Sequence, residues 1–96
     1  MADESPVRDN PERQRYELEA DGGLVFAEYR REGDRLLILH TETPPALQGR
    51  GLASTLVRGM IADVRARGLK IVPLCSFIVD YLARHPEDGD VVATRD

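Results

Sequence analysis

Residues 36–74 change character in an order that few folds satisfy. Leu36-Leu37-Ile38-Leu39 is apolar at every position, the pattern of a strand covered on both faces. Pro44 and Pro45 forbid further pairing, and a glycine-bearing loop follows, Gln48-Gly49-Arg50-Gly51-Leu52-Ala53. From Gly51 to Arg67 the apolar residues Ala53, Leu56, Val57, Met60, Ile61 and Val64 recur at helical spacing, which predicts an amphipathic helix. Gly68 is placed to end it. Lys70 to Leu74 predicts another strand, with Pro73 marking an edge or a distortion. Strand, helix, strand in this order implies a parallel pair joined by a right-handed crossover. The C-terminal ends of both strands then share one sheet edge, where His40 and Thr41 end one strand and Leu74 and Cys75 the other. Ligands of open α/β sheets bind at such an edge.

The flanks are simpler. Residues 1–12 are polar, carry Pro6 and Pro11, show no periodicity and read as a disordered tail. Alternation predicts strands at 13–19 and 24–31, with turns at Asp21-Gly22-Gly23 and Glu32-Gly33-Asp34, so that the chain enters as an antiparallel meander. Residues 76–84 predict a second helix ended by His85-Pro86, and Val91-Val92 a last short strand. The expected fold class is therefore α/β, a mixed twisted sheet with a βαβ unit, in one domain spanning 13–96.

Charge and cysteine content exclude several functions. The net charge is −4, which argues against non-specific nucleic-acid binding, because that needs a basic footprint. The excess acid lies in residues 1–34, with ten acidic and five basic side chains; residues 35–96 hold seven and eight. An anionic ligand is thus not repelled where the motifs lie. No apolar run reaches the length of a bilayer span, so no membrane partner is expected. The N-terminus is acidic and lacks a secretory signal, and the lone Cys75 suits a reducing compartment. A cytoplasmic protein is the expectation.

The loop at 48–53 sits between a strand and a helix N-terminus. Glycines let a ligand approach the backbone, and the free amides of the first helical turn with the helix dipole favour an anion. It is neither a Walker loop nor a dinucleotide fingerprint, since the following Lys-Ser/Thr and the third glycine are missing. A tight turn without a ligand is the bland alternative.

Gln48, Gly51 and Ala53 fit the Gln/Arg-x-x-Gly-x-Gly/Ala signature, and the loop resembles that of GNAT acetyltransferases. More of the chain resembles a group of very small GNAT-like proteins: His40-Thr41, Pro44, Gly49-Arg50-Gly51-Leu52-Ala53, Pro73-Leu74-Cys75-Ser76-Phe77, Tyr81 and His85-Pro86 occur in that order. The resemblance implies a minimal GNAT-like fold with an acetyl-CoA-binding βαβ unit. It implies that the amides of Gly49, Arg50, Gly51, Leu52 and Ala53 hold the pyrophosphate of coenzyme A, beside Gln48. Pantetheine would pair with backbone from Leu39 to Thr41, and the thioester would point to His40 and Cys75. Larger relatives insert helices between their first two strands to cover the acceptor; here only Asp21-Gly22-Gly23 stands there.

Each candidate has a plain alternative. Cys75 is either a small buried hydrophobe or a nucleophile that takes the acetyl group as a thioester. His40 is a core histidine or a base for the incoming amine or the Cys75 thiol. Tyr81 is a core aromatic or the acid that protonates the departing thiolate. His85 ends a helix, and two histidines with one cysteine at no recognised spacing predict no metal site. The function expected is acetyl transfer from acetyl-CoA to an amine, directly or through Cys75. The rival is a coenzyme A-binding module without catalysis.

Overall fold

The computed structural model describes residues 6–93. Five strands, β1 (Val7–Asn10), β2 (Arg15–Ala20), β3 (Gly23–Glu32), β4 (Arg35–Glu42) and β5 (Lys70–Pro73), form one sheet in sequence order. Neighbours are antiparallel from β1 to β4, and β4 pairs with β5 in parallel. The helix α1 (Leu52–Ala66) makes the crossover between β4 and β5, and α2 (Ser76–Arg84) follows β5. Val92 adds a single parallel bridge to Ile71. No helix among the described residues is long and apolar enough to cross a membrane.

One core holds the fold together. Tyr16, Leu18, Val25, Ala27, Leu36, Ile38 and Ile71 point from one sheet face against Leu56, Val57, Met60, Ile61 and Val64 of α1 and Ile78 and Tyr81 of α2. Truncating any of the larger of these to alanine costs roughly 2–5 kcal/mol. The other sheet face is open. Leu37 is only half-buried and Leu39 is 43% exposed, so the continuous apolar run does not mark a strand covered on both sides. Around it stand Arg15, Glu17, Phe26, Glu28 and His40, tied by an Arg15–Glu17 ion pair and by Arg15 lying over the Phe26 ring.

The tail boundary at residue 12 needs correction. Residues 7–10 form a strand, and only residues 1–5 of the expected tail lie outside the described residues. Pairing with β2 makes this strand, and a polar chain anchors it. The Tyr29 hydroxyl donates to Asp9 (2.5 Å), Arg67 bridges Asp9 (2.9 Å) and Asp63 (3.0 Å), and the Tyr16 hydroxyl donates to Asp63 (2.6 Å). Local propensity carries none of this, because Asp9 and Arg67 lie 58 residues apart. Connections on both sides of β2 are tight turns: Pro11 to Gln14 before it and Asp21-Gly22 after it.

Burial, then the Asp63 hydrogen bond, pushes the Tyr16 hydroxyl well above its ordinary value of 10.0. Burial and Asp9 do the same for Tyr29. The folded state thus keeps protons that the unfolded chain gives up. Their stabilisation is whole below about pH 10 and is lost progressively as pH rises further. Tyr16→Phe should lower stability at neutral pH by about 1–2 kcal/mol, and its thermal midpoint should fall less steeply above pH 10 than the wild type's. Thermal melts across pH 7–11 check both; parallel curves would remove Tyr16 from the account.

Pairing between β3 and β4 slips once. Tyr29 opposes Ile38, but Glu28 opposes His40, which leaves Leu39 as an extra residue. This is a β-bulge, and it exchanges the faces beyond it. Thr41 joins the core face opposite Ala27, while His40 goes to the open face opposite Glu28.

Candidate active site

The parallel ladder ends early. Ile38 opposes Pro73, and the Leu74 amide donates to the Ile38 carbonyl as the last bond. Past this point β4 runs on to Glu42 paired with β3, while the other strand turns into α2 at Cys75. The backbone of Leu39 to Thr41 therefore faces a fork between the strands.

Cys75 lies in that fork, half-buried against the core, at the N-cap of α2. Its Sγ lies 3.5 Å from the Thr41 hydroxyl. Burial pushes the thiol up, but the Thr41 hydroxyl and the amides of Ile78 and Phe77 outweigh it and hold the thiol below its ordinary value of 9.0. The thiolate is the nucleophilic form.

His40 does not reach this thiol's surroundings, contrary to the expectation of a shared edge. The bulge at Leu39 turns it to the open face, where it is exposed, lies 3.0 Å from Glu42 and meets the edge of Phe26. Thr41 takes the place beside sulfur that the sequence reading gave to His40. Tyr81 is 2% exposed, with its ring stacked on His85 at 4.1 Å; this is the setting of a core aromatic. The fold also gathers His85, Glu87 and Asp88, whose ligand atoms lie within 4.8 Å of one another. His85 and Glu87 are paired, and Asp88 is held by Arg65.

The glycine loop opens onto a cleft beside the fork. Its wall comprises Thr43, the residues from Leu47 to Ser54 except Arg50, and Phe77. Gly51 is the N-cap of α1, at φ +74°, and no side chain caps the helix and no acidic residue stands in its first turn. The first amides of α1 are thus open to an anion. Gln48 steadies the loop by donating to the Thr43 carbonyl (3.1 Å). Of the residues expected from the sequence, Gln48, Gly49, Gly51, Leu52 and Ala53 wall the cleft and Arg50 does not; Thr43, Leu47 and Ser54 were missed as wall residues. Also missed was Asp21, whose carboxylate pairs with Arg50 at 2.6 Å.

The cleft thus sits on a bare helix N-terminus, with Phe77 of its wall two residues from Cys75. A family model for GCN5-related N-acetyl-transferases matches residues 15–91. The chain belongs to this family. Membership places it among acetyltransferases in general, a family that uses acetyl-CoA. The solution structure of a GCN5-like protein from Staphylococcus aureus, assigned as an N-acetyltransferase, superposes with a TM-score of 0.71 at 22% identity. The match covers 96% of this chain and 91% of that one, and at this identity it speaks for the fold alone. No curated protein matches the chain. The GNAT resemblance and the mixed α/β sheet expected from the sequence are thereby established; the roles of individual residues are a separate matter.

Proposed function

We propose that this GCN5-related protein binds acetyl-CoA and transfers the acetyl group to an amine by way of a thioester on Cys75. The observation that carries the proposal is proximity: the cleft on the uncapped amides of α1 is walled by Thr43 and Phe77, each two residues along the chain from Thr41 and Cys75 respectively, which meet in the fork at 3.5 Å. Amides of Gly49 to Ala53 would take the pyrophosphate, and the β4 backbone would pair with the pantetheine amides. Coenzyme A supplies an activated acetyl group there.

The chain's own residues do the rest. Cys75 Sγ attacks the acetyl carbon as thiolate; the new S–C bond forms as the old one breaks, and the coenzyme thiolate leaves and takes a proton from water. The helix amides that stabilise the Cys75 anion before attack stand beside the developing charge. An amine then attacks the Cys75 thioester, Cys75 leaves as thiolate, and the amine's proton passes to a base. His40 lies against Glu42 on the open face, away from Cys75, and takes no part in this transfer, so that base is water. Tyr81 receives no proton-transfer role, since its ring is core. The lone free thiol fits a reducing compartment, and on that ground the protein is placed in the cytoplasm.

Intact-mass and peptide analysis after incubation with acetyl-CoA tests the reading. One acetyl group on Cys75, removed by added amine, is expected. Absence of saturable binding at millimolar coenzyme A would sink the reading altogether. Saturable binding with no acetyl on Cys75 and none on any amine would leave a coenzyme A-binding module.

A further inference from the structure

Arg50 is the one charged residue in the loop 48–53, yet it is the one residue between Leu47 and Ser54 that does not wall the cleft. Its guanidinium is turned away to Asp21 on the β2–β3 hairpin, at 2.6 Å. The placement of that carboxylate is built into the fold. Asp21 and Gly22 have φ of +45° and +78°, and Ala20 pairs with Gly23 across them, the geometry of a tight hairpin turn. The hairpin backbone presses on the segment leading into the loop: a Cβ on Gly23 would stand 2.8 Å from Leu47 Cδ1. Leu47 itself is buried and walls the cleft.

We propose that Asp21 is an electrostatic latch that holds Arg50 off the phosphate cleft, so that a polyphosphate ligand binds by taking Arg50 from Asp21. The inference rests on the coenzyme A reading above and adds to it a residue that sets affinity for the charged end of the ligand. As a contribution to stability this exposed pair is worth little. Its consequence lies in binding. A pyrophosphate drawn to the α1 amides meets a loop whose cation is already neutralised by Asp21. Freeing Arg50 removes the competitor and adds a charge-assisted contact. A ligand without phosphates gains nothing from the exchange.

Calorimetric titration at low ionic strength tests this with coenzyme A and with pantetheine, its phosphate-free fragment. Asp21→Asn is the informative variant, because Asn-Gly suits a turn of this kind and the hairpin is kept. It should tighten coenzyme A binding roughly two- to fivefold, leave pantetheine unchanged, and lose its effect as salt screens the pair. In an Arg50→Gln background the same change should have no effect. Unchanged or weaker coenzyme A binding by Asp21→Asn overturns the latch while leaving the functional reading intact. So does equal tightening in the Arg50→Gln background, which would make Asp21 a distant repulsive charge, and so does equal tightening of pantetheine. A wild-type protein that binds no coenzyme A sinks the functional reading and the latch with it.

Discussion

Gly51→Val should leave the protein folded and cut its affinity for coenzyme A by roughly a hundredfold or more, the equivalent of two lost charge-assisted hydrogen bonds. Gly51 lies at φ +74° and walls the cleft at the start of α1. A β-branched residue in that left-handed conformation costs about 1–2 kcal/mol, a tolerable fraction of a small domain's stability. Nothing lies within 4 Å of the position a Cβ would take, so the variant is strained but not crowded. The new side chain enters the space where phosphate oxygens would meet backbone amides. Gly33 supplies the control: at φ +65° in the β3–β4 turn, also with open space around it, Gly33→Val should show a similar stability loss with unaltered affinity. Equal affinity in Gly51→Val and the wild type would place the ligand elsewhere.

Cys75→Ala should abolish covalent labelling by acetyl-CoA and, with it, turnover, while coenzyme A still binds. The supporting measurement is the pH dependence of alkylation. The thiol is held below its ordinary 9.0, so the rate should reach half its maximum at a lower pH than a free cysteine's. Thr41→Val removes the hydroxyl 3.5 Å from Sγ, destabilises the anion and should move that midpoint upwards. An unmoved midpoint would leave the backbone amides of Ile78, Phe77 and Thr41 as the cause. Full turnover by Cys75→Ala would sink the relay and leave direct transfer.

Long periodic elements were legible because their signals are local. Residues at helical spacing in 51–67 and the reading of 76–84 match α1 (Leu52–Ala66) and α2 (Ser76–Arg84) to within a residue or two. The glycine loop was legible for a similar reason: backbone freedom and a helix start are written in adjacent residues. β1 was not legible, because Val7–Asn10 is polar and becomes a strand only through β2 and the Asp9–Arg67 bond. The open sheet face was misread from Leu36 to Leu39, since four apolar residues look alike whether a second layer covers them or not.

By itself the sequence determined the parallel pair, the crossover helix and the glycine loop between them. Each follows from residues close in the chain, through periodicity, proline and glycine. Which side chains meet was decided only by the tertiary structure. One bulged residue, Leu39, sets every later residue of β4 on the opposite face from the one simple alternation gives, and so brings Thr41 to Cys75 and sends His40 to the open side. Likewise the packing of Leu47 under the β2–β3 hairpin puts Asp21 within reach of Arg50. The reason is the period of a strand: with side chains alternating every residue, a single insertion reverses all that follow. No local pattern in the sequence records where that insertion falls.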